Sequence, residues 1–180
     1  MGALSQVSAG ALLPLLLVLH GFLGGADTLL NHELVARLPQ HVSARRELAY
    51  HALREAIFGA LFIGLAWYRW LGAAALVVAI LVLVETLNTA VDEFEENRTR
   101  VLPQNERVMH AFLTLNLGLI IAAAVPTLLA WGEQPTAVAR VHHGIVSWVL
   151  TVLGCASLAW SIRDLRVSLR LQAQARPARE

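Results

Sequence analysis

The sequence contains no lysine, and all 14 of its basic residues are arginine. The formal net charge of +1 argues against a nucleic-acid-binding protein, because such proteins carry strongly basic patches. The only cysteine, Cys155, excludes an intrachain disulfide and a metal site built from cysteines. The sequence also has no glycine-rich phosphate-binding loop. These absences exclude disulfide frameworks, cysteine-based zinc sites and P-loop nucleotide binding.

The chain is instead rich in apolar residues. It is 57% hydrophobic and 15% charged, with a mean hydropathy of +0.58, which is too apolar for a soluble domain of this size. Long uncharged runs indicate membrane helices. We therefore predict an all-α integral membrane helical bundle with about five transmembrane helices. The apolar run at 11–19 has no basic residue before it, so we interpret it as a retained first helix rather than a signal peptide.

The apolar runs group into two helix hairpins followed by one further helix. We predict a single membrane domain over 1–180, with the first hairpin at 9–70, the second at 72–131, a fifth helix at 144–162 and a tail at 163–180. The first four helices are expected to form a pseudo-twofold four-helix bundle. The segment WYRWLG after the second helix is predicted as a turn with interfacial aromatics, and GEQPTAVARVHHG as a loop.

The distribution of arginine predicts the orientation of the chain. Arginines cluster between the first and second helices, between the third and fourth, and in the tail, whereas the other face has only Arg69 and Arg140. The positive-inside rule makes the arginine-rich face cytoplasmic. We therefore predict an integral protein of a bacterial-type inner membrane, with its N-terminus outside and its C-terminus cytoplasmic. The lipid bilayer is its expected partner, nucleic acid is not, and a homo-oligomer is compatible with the sequence.

Two segments of the chain carry a similar polar pattern. Each has an aspartate, a polar residue four positions later, an arginine, a Leu-Pro pair and then Glu-x-x-x-His. The corresponding residues are Asp27 and Asp92, Asn31 and Glu96, Glu47 and Glu106, His51 and His110, and, seven positions before each aspartate, His20 and Glu85. Spacings of four and seven place side chains on one helix face, so all of these can point into one bundle. Acidic side chains at the end of a membrane helix are costly, and a metal site would explain them.

We predict a dinuclear metal site near the cytoplasmic interface. The predicted ligands are Asp27, Glu47, His51, Asp92, Glu96, Glu106 and His110. Residues that could add a ligand or support the ligands are His20, Asn31, His32, Glu33, Arg54, Glu85 and Arg98. On a straight helix His32 and Glu33 point away from Asp27, so their participation requires a break in the helix. Glu93 and Glu95 lie off the ligand stripe and are expected on the solvated face.

In its ligand pattern this set resembles the ferritin-like di-iron carboxylate proteins. In those four-helix bundles two helices supply a glutamate each and two supply a Glu-x-x-His pair, whereas this chain has Glu-x-x-x-His twice. Carboxylate and imidazole ligands suit Fe, Mn or Zn. The resemblance implies two transition-metal ions, with Fe first and Mn or Zn as alternatives. It also implies an oxidoreductase of the oxygenase, desaturase or oxidase type that acts on a lipophilic small molecule or a quinone.

A shorter motif resembles the signature of the prokaryotic diacylglycerol kinase family. VETLNTAVDE carries Glu85, Asn88 and Asp92, and the resemblance implies a lipid kinase whose carboxylates hold the metal of metal–ATP. The lysine of that family's Lys-Asp pair has no counterpart here, and arginine replaces it only imperfectly. Two non-enzymatic functions also stay open: a membrane protein that binds or transports metal, and a structural partner of another subunit. His142 and His143 are expected on the opposite face, without an assigned role.

Overall fold

The computed structural model describes residues 3–175, with side chains from residue 12 onward. This part of the chain forms five long helices: α1 (Ala3–Asp27), α2 (Arg45–Trp67), α3 (Ala75–Thr99), α4 (Gln104–Gly132) and α5 (Ile145–Gln174). Five segments of the described chain are long and apolar enough to cross a membrane, and each contains all or most of one of these helices. The helical class and the number of helices are as predicted. Residues 176–180, the end of the predicted tail, lie outside the described residues.

The first helix changes its geometry before it ends. After Asp27 the chain continues as a π-helix over Thr28–Val35, in which the hydrogen bonds close over five residues instead of four. The last of these joins the Ala36 N–H to the Asn31 carbonyl at 2.7 Å. Two 3₁₀ turns, Leu38–Gln40 and Val42–Ala44, then lead into α2.

The connections at the opposite end of the bundle form a small sheet instead of the predicted turn and loop. Strand β1 (Tyr68–Leu71) pairs antiparallel with β2 (Ala137–Arg140), with Tyr68 opposite Arg140. Tyrosine, tryptophan and valine favour extended structure. Pairing also satisfies backbone N–H and C=O groups where the chain leaves the apolar helices, and unsatisfied groups are costly in lipid.

The helices contact one another in the cyclic order α1, α4, α3, α2, α5. The most extensive of these contacts joins α2 to α5, which approach closely at two glycines. A Cβ built on Gly59 would lie 2.6 Å from the Leu158 side chain, and one built on Gly154 would lie 2.6 Å from that of Ile63. Small residues allow such an approach between membrane helices.

The fifth helix departs from the prediction in position and in length. It packs on both α1 and α2, so the bundle of the first four helices alone is incomplete. It also continues to Gln174, well past the predicted end at 162, because Asp164, Ser168 and Leu171 bury one face at spacings of four and three. The Ser168 hydroxyl donates to the Arg45 carbonyl at 2.6 Å and fixes this extension to the start of α2.

The distribution of apolar side chains suits a protein in a lipid bilayer. Large apolar residues are exposed on the outside of the bundle, among them Leu76, Leu115, Leu129 and Val152, each more than 60% exposed. The interior combines an apolar core with many buried polar residues. That arrangement is expected where the surrounding solvent is itself apolar.

Candidate metal centre

The predicted ligands lie together at one end of the bundle. They come from the C-terminal end of α1, the first turns of α2 and α4, and the last turns of α3. Six are buried and His110 is half-buried; the six are Asp27, Glu47, His51, Asp92, Glu96 and Glu106. The i, i+4 spacings therefore converge in space as the sequence suggests.

One group of potential ligand atoms is formed by His32, Glu96, Glu106 and His110. One ligand atom from each residue lies within 4.8 Å of the others. The Nε2 atom of His32 is 3.4 Å from Glu106 Oε1. Ligand atoms around a transition metal at about 2.1 Å are separated by roughly 3 to 4 Å, so the group is close to the size that an ion requires.

A second group is formed by Glu47, His51 and Glu96, again with ligand atoms within 4.8 Å of one another. The Nε2 atom of His51 lies 3.2 Å from Asp92 Oδ2 and 3.5 Å from Glu96 Oε1. Asp92 therefore adds a further carboxylate at the edge of this group.

Glu96 belongs to both groups, and its two oxygens face different histidines. Oε1 lies 3.5 Å from Nε2 of His51, and Oε2 lies 3.3 Å from Nδ1 of His110. A carboxylate with one oxygen directed to each of two ligand groups has the arrangement of a bridging ligand. The two groups therefore form adjoining halves of one centre.

Several atoms at the centre are buried without a hydrogen-bond partner. Among the residues that the structure describes, these include Nε2 of His32, Nε2 of His51, Oε1 of Glu96 and Oδ1 of Asp92. Leaving such a group unsatisfied costs about 1–3 kcal/mol. Bound cations would give each of these atoms a partner, so their burial points to a ligand at this position.

His32 enters the centre because of the π-helix. The wider turn directs its ring toward Asp27, with His32 Nε2 and Asp27 Oδ2 3.4 Å apart, instead of away from it as on a straight α-helix. The neighbouring Asn31 donates to Asp27 Oδ1 at 2.7 Å and accepts from Asn105 at 2.7 Å. The sequence feature that indicates this geometry is the adjacent polar pair Asn31 and His32 inside an apolar run, because a straight α-helix cannot direct two neighbouring side chains to the same face.

Arg100 holds the carboxylates at the outer side of the centre. Its guanidinium donates to Glu47 at 2.7 Å and to Glu106 at 2.6 Å, and lies 3.6 Å from Glu96. Burial alone would lower the pKa of Arg100, but the hydrogen bonds that it donates to Glu106 and Glu47 raise this pKa above its usual range. The arginine is therefore a permanent positive charge.

A second arginine, Arg54, holds the inner side. Its Nε donates to Glu85 Oε1 at 3.1 Å, and its terminal nitrogen lies 3.0 Å from Asp92 Oδ2. Two arginines do not balance the buried acids. When ionised, the six carboxylates and two guanidiniums carry a formal charge of −4; the carboxylates are Asp27, Glu47, Glu85, Asp92, Glu96 and Glu106. Two divalent cations would neutralise it.

Three residues from the sequence-based set lie apart from the ligand groups. Glu33 turns toward α5 and pairs with Arg163 at 2.6 Å. Arg98 pairs with Glu95 at 2.7 Å, and its side chain is 54% exposed. Glu95 itself is buried, contrary to the prediction of a solvated residue, because Arg98 and Arg46 cover it.

The third residue that lies apart from the ligand groups is His20, which is buried in α1 about two turns before Asp27. Its ring stacks on Phe58 with centroids 4.1 Å apart, and its Nδ1 lies 3.2 Å from the Asn116 amide. His142, for its part, contacts Trp67 at the far end of α2. Trp67 follows His51 by 16 residues, about 24 Å of helix, so His142 and the adjoining His143 are remote from the centre.

A cavity of about 260 Å³ opens from the metal centre into the bundle. His32, His51 and His110 line one part of it, whereas other parts are apolar, lined by Phe58, Phe62, Leu117 and Leu153. All five helices contribute to its wall. The candidate metal centre is therefore continuous with a mainly apolar chamber.

The kinase-like motif is engaged in internal contacts. Glu85 and Asp92 both contact Arg54, and the Asn88 amide donates to the Tyr50 carbonyl at 3.1 Å. These side chains therefore contribute to packing between α2 and α3. Comparisons of the chain with protein-family models, curated proteins and solved structures found no match.

Proposed function

We propose that the protein is an integral membrane oxidoreductase that holds two transition-metal ions and acts on a lipophilic substrate. The observation that carries the proposal is Glu96, whose two oxygens face two groups of buried potential ligands. Carboxylate and imidazole ligands together favour Fe, with Mn or Zn as alternatives. The formal charge of −4 supports a pair of divalent ions rather than one.

The residues divide into ligands and residues that hold them. One ion would be held by His32, Glu96, Glu106 and His110, and the other by Glu47, His51 and Glu96, with Asp27 and Asp92 at their edges. A bound iron pair would supply redox chemistry with dioxygen. Arg100 and Arg54 orient the carboxylates through charge-assisted hydrogen bonds, as outer partners of metal ligands commonly do.

The chamber supports a lipophilic substrate. Its apolar wall begins beside the ligand groups and is formed by residues of all five helices, so a hydrocarbon or quinone body would bury apolar surface when it binds. A transport path would instead carry ligands along the length of the bundle. The concentration of carboxylates at one end therefore favours a closed site over a metal-conducting path.

The proposed orientation in the membrane rests on the distribution of arginine residues between the two ends of the bundle. The arginine-rich loops and tail support a bacterial-type inner membrane location with the N-terminus outside and the C-terminus cytoplasmic. The metal centre then lies near the cytoplasmic face. The duplicated ligand pattern supports a pseudo-twofold relation between the two helix hairpins, each of which supplies half of the ligands.

Elemental analysis and optical spectroscopy of purified protein test the proposal. We expect about two transition-metal ions per chain and charge-transfer absorption that disappears on reduction and returns on exposure to air. His51→Ala combined with His110→Ala should abolish both. The matched control is His142→Ala combined with His143→Ala, which removes two histidines far from the centre and should leave metal and spectrum unchanged.

Each of the other candidate functions predicts a different outcome. Trace metal that does not respond to the His51 and His110 substitutions would overturn the metal centre. Stoichiometric metal with no spectral response to reduction and re-aeration would contradict the oxidoreductase and favour a metal-binding or transport protein. Phosphorylation of a lipid with metal–ATP would favour the kinase.

A further inference from the structure

The chamber wall carries three more buried polar atoms outside the ligand groups, one of which, Oε2 of Glu85, belongs to the carboxylate that Arg54 holds. Within the described part of the chain, the other two, Oε2 of Glu55 and Nε1 of Trp160, have no hydrogen-bond partner. Both residues line the same chamber as the ligand histidines. Neither is needed for the metal centre, so both atoms are available to a molecule in the chamber.

The packing of α2 against α5 brings the two residues to one wall. The Ser157 hydroxyl donates to the backbone carbonyl of Glu55 at 2.7 Å, and the Ser161 hydroxyl donates to that of Ala52 at 2.6 Å. Trp160 lies on the turn of α5 between these two serines. The turn that carries the indole therefore faces the turn of α2 that carries Glu55.

The two atoms differ in what they can bind. An indole N–H only donates a hydrogen bond, whereas a carboxylate oxygen accepts one. A hydroxyl group satisfies both, because its oxygen accepts from the indole while its hydrogen is donated to the carboxylate. An ether oxygen would satisfy only the indole, and a hydrocarbon neither.

We propose that the chamber binds a lipophilic hydroxyl compound, such as a long-chain alcohol, a phenol or a quinol, with its hydroxyl between Trp160 and Glu55. The identification of this compound as the substrate rests on the proposed function, and the binding site itself does not. The apolar body packs against Phe58 and the other apolar residues of the chamber. Glu55 follows His51 by four residues on α2, one turn of about 6 Å, so the hydroxyl end lies beside the metal centre.

Three naphthalenes of similar size provide the test. The affinities of 1-naphthol, 1-methylnaphthalene and 1-methoxynaphthalene are measured by equilibrium dialysis against the protein in lipid nanodiscs, after subtraction of binding to empty nanodiscs. We expect 1-naphthol to bind at least about tenfold more tightly than 1-methylnaphthalene, because buried polar groups select against an analogue that leaves them unsatisfied. The methoxy compound, which accepts but cannot donate, should lie between them.

Substitutions then assign the preference to the two residues. Trp160→Phe removes the donor and Glu55→Leu removes the acceptor, and each should reduce the preference for 1-naphthol severalfold. Trp148→Phe is the matched control on the same helix, because Trp148 is 57% exposed and does not line the chamber. Equal affinities of the wild-type protein for all three compounds would overturn the proposal, whether or not a variant folds.

Removal of metal by chelation separates this inference from the proposed function. Chelation changes no side chain of the chamber, so the preference for 1-naphthol should persist when metal is lost. A wild-type protein with two bound ions and no preference would overturn the hydroxyl site alone. A preference in wild-type protein purified without any bound metal would instead contradict the metal centre and keep the hydroxyl site.

Discussion

The imidazole rings of His32 and His51 are stacked, with their centroids 4.4 Å apart and their planes 9° apart. One ring comes from the π-helix after α1 and the other from α2. Their Nε2 atoms lie beside different carboxylates, Glu106 for His32 and Asp92 for His51. The stack therefore connects the two ligand groups through a second contact besides the shared Glu96.

His32→Ala should reduce the bound metal as strongly as His51→Ala. The substitution removes an imidazole from the first ligand group while leaving Asp27 and Glu106 in place. Elemental analysis of the purified variant measures the effect. His41→Ala, in an exposed connection, is the control and should keep the wild-type content. A full complement of metal in His32→Ala would show that the ring serves only packing.

Glu96→Ala should abolish the binding of both metal ions, whereas Glu47→Ala should abolish mainly the binding of one. The reason is that Glu96 faces both groups and Glu47 belongs to the second alone. The metal-to-protein ratio distinguishes the two variants. Asn97→Ala is the control on the same helix, because that side chain is exposed and its hydrogen bonds go to Glu93. Equal losses in Glu96→Ala and Glu47→Ala would contradict the bridging role.

Arg100→Ala should destabilise the metal-free protein. It leaves Glu47 and Glu106 buried without their cationic partner, and breaking a buried pair in this way costs about 3–5 kcal/mol. Thermal unfolding after chelation measures the loss, and added metal should recover part of it because a cation replaces the missing charge. Arg107→Ala, at an exposed position in the first turn of α4, should change the stability by no more than about 0.5 kcal/mol. Equal melting temperatures for the two variants would refute the role given to Arg100.

Gly24→Leu should fill the chamber without loss of metal. Among the described atoms, none lies within 4 Å of a Cβ built on Gly24 or on Gly118, but only Gly24 lines the chamber. We expect Gly24→Leu to weaken the binding of 1-naphthol severalfold, because the side chain occupies its volume. Gly118→Leu, on the exposed face of α4, should bind the probe like wild type. Equilibrium dialysis measures both affinities. Unchanged binding of 1-naphthol to Gly24→Leu would show that the probe binds outside the chamber.

Gly154→Ala should separate α2 from α5. The added methyl group would lie 2.6 Å from Ile63 Cγ1 and 3.1 Å from the Gly59 carbonyl oxygen. Overpacking of this kind costs about 1–3 kcal/mol. Thermal unfolding in detergent gives the change, with Gly132→Ala as the uncrowded control. A Gly154→Ala protein as stable as wild type would indicate that the interface has room to adjust.

The sequence predicted the long helices well because each apolar run ends at polar residues. The second hairpin, predicted to end at 131, ends at Gly132 in the structure. The two strands were not predicted, since four-residue segments nearly 70 positions apart pair only when the helices bring them together. The length of α5 was underestimated because its last turns are buried by α2 and the turns before it, and arginines on the other face resemble a solvated tail.

The positions of the predicted ligands followed from helical spacing, whereas His32 and Arg100 depended on departures from it. On a regular helix His32 would lie about 140° from Asp27, and only the π-helix brings them together. Arg98 and Arg100 lie on either side of Thr99, the last residue of α3, so residue type alone does not show which of the two arginines reaches the metal centre. Arg100 adopts extended backbone after the last turn, with φ −155° and ψ 163°, and this conformation directs its side chain to the centre.

The position of α5 between α1 and α2 has a consequence for biosynthesis. Translation proceeds from the N-terminus, so α5 leaves the ribosome after the other four helices. All of the proposed metal ligands are synthesised before it, by residue 110, but the chamber lacks the wall that carries Trp160 until α5 arrives. A nascent chain that ended after α4 would therefore hold a complete set of ligands beside an open groove. Insertion of α5 supplies the wall that converts that groove into the chamber.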